Sequence, residues 1–272
     1  MILSASGGLV YHARAAFSRI ARAVERDPWA ATRRSVSACL EKWLPRVHAK
    51  TLVIIGPSGG YLLPRDFFQL IAHDLKLVIV EPDPLGGIMF RVRFPDSEVS
   101  RSSRADLLPF QSASPNTFKD FLFAARAQSS GPVAVLFFGV LGQMDLHRET
   151  FTRSREEART ILLRTLHELH MPWASLHDLE STRLTRSLSS IENLENDFKQ
   201  ALGEKIGDHD QFARLEAAAI ALEKQGHGPI EWTDHETAWL GKPRMIIPWR
   251  LTGRRLQLLG WVESADPAKP VK

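Results

Sequence analysis

Two short apolar runs on either side of a glycine-rich turn constrain this chain more than any other feature. Thr51-Leu-Val-Ile-Ile55 ends at Gly56-Pro57-Ser58-Gly59-Gly60, and Leu77-Val-Ile-Val80 ends at Glu81. Aliphatic runs without polar alternation read as strands buried on both faces, the habit of parallel sheets. Parallel strands need a crossover, and the intervening residues offer one. Pro64 suits a helix's first turn, and Phe67, Phe68, Ile71 and Leu75 supply its apolar face. Strand, turn, helix and strand make a βαβ unit of about 30 residues with a carboxylate at the end of its second strand.

The same alternation continues along the chain. Val133-Ala-Val-Leu-Phe-Phe138, ending at Gly139, is another buried run, and Trp173 to Leu179 is a further strand. Phe90 to Phe94 alternates with Arg91 and Arg93 and reads as a third strand. Met245–Leu251 and Arg255–Val262 flank Thr252-Gly253, a hairpin signal. Helical spacing joins Val10, Phe17, Ile20 and Val24, and then Val36, Leu40, Trp43 and Leu44 up to Pro45. A helix opened by Ser114-Pro115 carries Phe118, Leu122 and Ala125. Another, behind the capping-box spacing of Ser154 and Glu157, carries Ile161, Leu162, Leu166 and Leu169. Residues 187–225 read as one or two more, stopped at Gly226-His-Gly228-Pro229. Repeated βα units closed by a hairpin predict a three-layer α/β fold, several strands parallel and one antiparallel at the end. The expected organisation is an N-terminal helical cap over residues 1–48, a main domain over 49–263 with a helical insertion at about 181–240, and a loose tail over 264–272.

Composition removes most other classes. Among 272 residues, 35 are basic and 31 acidic, a net charge of +4. That is weak for a nucleic-acid binder of this length. Cys39 is the single cysteine, which excludes an internal disulfide and a cysteine-rich zinc site. No apolar run approaches the roughly 20 residues that span a bilayer, so no membrane partner is expected. Residues 1–24 lack Asp and Glu but contain Arg14, Arg19 and Arg22. That composition resembles a transit peptide, yet it reads as a basic helix of the mature protein, and a cytoplasmic location is expected.

A glycine turn between a buried strand and a helix brings backbone amides close to a ligand, and an acid after the next strand can accept the hydroxyls of a ribose. Glu81 lies 21 residues after Gly60. No Gly-Lys-Ser/Thr follows the turn, so it is no P-loop, and the glycine spacing is not that of a dinucleotide fingerprint. The remaining reading is a nucleoside without a pyrophosphate.

At these residues the chain resembles the class I S-adenosylmethionine-dependent methyltransferases, over about Leu52 to Val262. Leu52-Val-Ile-Ile-Gly-Pro-Ser-Gly-Gly60 looks like the family's first motif and Val78-Ile-Val-Glu81 like its second. The segment Arg104-Ala-Asp-Leu-Leu-Pro-Phe110 is similar to a later one, and Val133 to Gln143 sits where the fourth lies. The resemblance implies a Rossmann-like, mostly parallel seven-stranded sheet with an antiparallel C-terminal hairpin strand, S-adenosylmethionine as cofactor, and transfer of its methyl group. It places Gly56, Ser58 and Gly60 against the methionine part, Glu81 on the ribose, Asp106 at the adenine amino group, Leu107 beside the ring, and Gln143 near the acceptor. Ile54 stands where the family often has an acid, and Ser58 where it has the middle glycine. The fourth motif lacks the N/D-P-P-Y/F sequence of enzymes acting on adenine or glutamine amino groups.

Methyl transfer from a sulfonium is an in-line displacement in which the protein aligns the nucleophile and sometimes removes its proton. Trp173-Ala-Ser-Leu-His177-Asp178 and Trp232-Thr-Asp234-His235 are both expected at strand ends, where open α/β sheets bind ligands. His177 is the leading candidate base and His235 the second, with Asp178 orienting and Trp173 and Trp232 walling the pocket. Equally, these are capping and packing residues. His167, His170, His177 and Asp178 read as a solvated helix end and its neighbours rather than a metal site. The expected acceptor is a small molecule, with RNA or protein as further possibilities. A rival reading keeps the fold without catalysis, as a binding or scaffolding protein.

Overall fold

The computed structural model describes residues 29–64, 75–81, 84–95, 114, 116–141, 154–184, 191–202, 211–228, 230–252 and 254–264. The expected helix over Val10–Val24, most of the crossover helix after Pro64, and the tail lie outside these residues. The described elements are α1 (Ala30–Val47), β1 (Thr51–Ile55), a 3-10 turn (Ser58–Gly60), β2 (Lys76–Val80), α2 (Pro84–Arg93), α3 (Thr117–Ala127), β3 (Val133–Phe138), α4 (Arg155–Glu168), β4 (Trp173–Arg183), α5 (Ile191–Leu202), α6 (Gln211–Lys224), β5 (Thr233–Asp234), β6 (Met245–Thr252) and β7 (Arg255–Glu263).

The apolar runs become strands because every residue of β1 and β3 is buried, on both faces of one seven-stranded sheet. Its order is β2-β1-β3-β4-β7-β6, with the two-residue β5 paired to β4 off that path. β2, β1, β3 and β4 are mutually parallel. β7 is antiparallel to both β4 and β6. The sheet is thus mostly parallel, and the antiparallel closing hairpin matches its sequence signal.

Alternation along the strands separates two cores. Leu52, Ile54, Leu136, Leu176, Ile247, Leu259 and Trp261 meet α1, with Trp43 and Trp261 edge to face at 6.0 Å. On the opposite face Val53, Ile55, Val135 and Phe137 meet α3 and α4. Farther along that second face, Leu179, Leu256 and Leu258 meet α5 and α6. The Ser154 side chain accepts the Glu157 amide and starts α4, as its spacing predicts. Among the described residues no helix is long and apolar enough to cross a membrane.

A β-bulge interrupts β4 between Asp178 and Glu180. Asp178 faces Leu259 and Ser181 faces Gln257 in the β7 ladder. Those partners are two positions apart, so Asp178 and Ser181 share a sheet face although they stand three positions apart.

Three local expectations are corrected. Phe90–Arg93 is the end of helix α2, with Phe94 just beyond it, and not a strand. Phe90 and Phe94 also stand four apart, which stacks their rings at 4.7 Å on one helix face, and both pack beneath Gly60. The first described helix passes through Pro45 to Val47. In the last turn a proline forfeits only one closing hydrogen bond, and His48 then ends the helix in the left-handed conformation. Leu75 belongs to no helix; it is buried in the segment entering β2.

Candidate functional site

The carboxyl ends of β1, β3 and β4 point to one edge of the sheet, and a cleft opens there. It is lined by Gly56, Pro57, Ser58, Tyr61, Leu62, Phe138, Gly139, Leu176, Asp178, Trp249 and Leu259. Its empty space is about 460 Å³ counting the open mouth.

The glycine turn forms the near wall. Gly56 leaves β1 with φ +74, donating its amide to the Val80 carbonyl. A side chain at Gly56 would overlap Val140 Cγ2, so only glycine lets the turn lie this close to the segment after β3. Ser58 has φ +48, a left-handed conformation that L-residues seldom adopt. Its amide donates to Glu81 Oε2 at 2.6 Å. Glu81 is buried and packs against Gly86 at the start of α2, and it is not among the residues that line the cleft.

The far wall comes from β4, β6 and β7. Leu176 and Asp178 share the cleft face of β4, so His177 between them must face the other way. It is buried there, with Nδ1 bonded to Ser175 Oγ at 3.0 Å and no partner for Nε2 among the described residues. Burial drives its pKa down to about 3, against a weaker opposing pull from Ser175, so it stays neutral. Asp178 is buried and lines the cleft, while its backbone carbonyl accepts from Thr237 Oγ1 at 3.4 Å. His235 is buried on Ser181 Oγ at 3.2 Å, and its own amide bonds the Leu179 carbonyl. Trp173 packs on Phe137 at 6.4 Å on the sheet face away from the cleft. Trp232 packs half-buried against the α5–α6 core.

The structure therefore gathers Gly56, Ser58 and Asp178 around one cleft, with Glu81 and Gly60 directly behind the turn. It places His177, His235, Trp173 and Trp232 elsewhere. Asp106, Leu107 and Gln143 lie outside the described residues. Among the described residues no group of three or more His, Cys, Asp or Glu is placed to hold a metal. Residues that the motifs did not signal complete the walls: Tyr61, Leu176, Leu259 and Trp249. Trp249 Nε1 has no partner among the described residues, nor has Gln257 Oε1 opposite it in the ladder. The one-residue alternation of β6 and β7 was the available signal, once their phase relative to Asp178 was known.

A doubly wound parallel half, a glycine turn at its centre, and an antiparallel β7 inserted between β4 and β6 decide the topology. The strand order and directions match the Rossmann-like, mostly parallel sheet with an antiparallel C-terminal hairpin strand expected from the sequence. Solved structures similar to this chain include a TehB-like SAM-dependent methyltransferase from Corynebacterium glutamicum (TM-score 0.36, 10% identity, covering 93% of this chain and 97% of that one). An SAH-bound methyltransferase from Podospora anserina has TM-score 0.33 and 12% identity, over 92% and 86%. A Rhodobacter sphaeroides structure described as a zinc-dependent alcohol dehydrogenase has TM-score 0.35 and 13% identity, over 85% and 89%. No family model matches the chain and neither does any curated protein.

Proposed function

We propose that the chain is an S-adenosylmethionine-dependent methyltransferase acting on a small molecule. The observation carrying this reading is the cleft at the strand ends, which the glycine turn and Asp178 both line. The near wall suits the methionine end of the cofactor. Its backbone approaches without side chains at Gly56 and Gly139, and Tyr61 and Leu62 add apolar surface. When bound, the cofactor's sulfonium supplies an electrophilic methyl group and its own leaving group. The protein's task is then alignment. Asp178 accepts a hydrogen bond from the acceptor's hydroxyl or amine and holds its lone pair toward the turn. Leu176, Leu259 and Trp249 exclude water around it. His177 takes no part, because it faces away from the cleft and stays neutral.

Calorimetric titration with S-adenosylmethionine and S-adenosylhomocysteine tests this reading. Wild type should bind with micromolar affinity, and Asp178→Asn should bind the cofactor equally while losing methyl transfer. No heat and no thermal shift from folded wild type would overturn the enzyme reading. It would leave the second one, a non-catalytic binding protein. That alternative has one observation in its favour: Ile54, where an acid is common, is wholly buried in the first core.

A further inference from the structure

Glu81 occupies the place from which an acid reaches a ribose, and it also bonds the glycine turn itself. Oε2 accepts the Ser58 amide at 2.6 Å, a short charge-assisted bond. The residue is 7% exposed, and a Cβ at Gly86 would lie only 3.0 Å from its Cδ. It lies behind the cleft wall, which Ser58 itself forms. Ser58 is the strained member of the pair. Its φ of +48 is a conformation that a non-glycine residue keeps only where its surroundings enforce it. Each turn amide has its own acceptor: the Gly56 amide bonds Val80, the Gly60 amide bonds Pro57, and the Ser58 amide bonds Glu81. Arg33 and Arg93 fix the following segment through the Tyr61 and Leu63 carbonyls, beyond the strained residue.

We propose that Glu81 is a positioning residue for the glycine turn: it holds Ser58 in the left-handed conformation and acts on any ligand of the cleft through that turn, not as a ribose ligand. A serine in place of the middle glycine makes this anchor necessary, because glycine would adopt the same φ without it. The carboxylate and the serine form one device, and loss of either half alters the need for the other. For ligand binding the inference rests on the cleft reading above; for the turn itself it does not.

The experiment has a part that needs no cofactor. Amide hydrogen exchange at Ser58 is followed in folded wild type, Glu81→Gln, Glu81→Ala and the double variant Glu81→Ala/Ser58→Gly. The Ser58 amide should exchange roughly tenfold faster in Glu81→Ala. Glu81→Gln, whose amide oxygen still accepts, should lie near wild type, and near-UV circular dichroism checks that each variant is folded. Unchanged protection in Glu81→Ala overturns the proposal. The second part measures S-adenosylhomocysteine and its 2′-deoxy and 3′-deoxy analogues by calorimetry. The positioning role predicts that the analogues lose the same factor in wild type and in Glu81→Gln. It also predicts that Ser58→Gly restores at least half of the affinity that Glu81→Ala removes. A deoxy penalty present in wild type and abolished in Glu81→Gln would make Glu81 a ribose ligand and overturn the proposal. If folded wild type binds none of these ligands, the cofactor reading fails, while the exchange data still decide the role of Glu81.

Discussion

Replacing Gly56 by alanine tests the close approach that builds the cleft. Two costs are separable. The residue sits at φ +74, where a β-carbon adds about 1–2 kcal/mol of backbone strain. The new methyl also overlaps Val140 Cγ2, and overpacking of this kind adds about 1–3 kcal/mol. The sum is about 2–5 kcal/mol, a large part of the stability of an ordinary domain. Truncating Val140 to alanine removes the overlapping atom. The next neighbours, the Phe138 carbonyl at 3.1 Å and Val140 Cβ at 3.5 Å, need only small shifts. Gly56→Ala/Val140→Ala should therefore recover the steric part and keep the backbone part, giving a coupling of about 1–3 kcal/mol in a double-mutant cycle. Urea unfolding followed by far-UV circular dichroism gives all four stabilities. A Gly56→Ala cost under about 0.5 kcal/mol, the range of an ordinary surface change, would refute the close approach. Additive costs of the two substitutions would refute the steric argument.

Other outcomes follow from single residues. His177 is neutral when folded, with its pKa held at about 3 against an ordinary value of 6.5. Only the unfolded chain gains its proton as the pH falls from 6.5 toward 3, so stability is lost in that window at up to about 1.4 kcal/mol per pH unit. His177→Leu should flatten this part of a denaturation-versus-pH series, and an unchanged slope would contradict it. Ser154→Ala removes the acceptor of the Glu157 amide and should cost about 1 kcal/mol, readable as a lower urea midpoint. Cys39 is buried in the first core, where burial and then the Glu263 carboxylate push its thiol up to about 12, with Lys42 opposing. A thiol-specific dye should label it only after denaturation, and rapid labelling of the native protein would show the α1 packing to be wrong.

The parallel half of the sheet was legible because its strands are buried on both faces, so their apolar runs needed no phase. The hairpin was legible from Thr252-Gly253 between two β runs. Phe90–Phe94 was not, because arginines at alternate positions satisfy a two-residue period while the phenylalanines satisfy a four-residue one. Packing on Gly60 decides between them, and no local signal carries it. The glycine turn and Glu81 were legible as a pair, but not the bond between Glu81 and the Ser58 amide. His177 and Asp178 look alike as candidates in sequence. Which of two adjacent strand residues meets the cleft depends on the phase of β4 against β7, a property of the assembled ladder.

The bulge in β4 makes that phase adjustable. A regular strand is a two-stroke rhythm, and Leu179 is an extra beat: the residues before it that serve the cleft are even-numbered, and those after it are odd-numbered. Taking that beat out would leave a regular strand whose downstream faces are unchanged, with Glu180 still on Leu258 and Ser181 still on Gln257. Flattening the bulge with every residue kept would do the opposite: Glu180 and Thr182 would turn to the cleft side, and Ser181 would turn from it toward α5 and α6. The bulge therefore lets the fourth strand carry one residue more than its partner without exchanging the sides of everything beyond it.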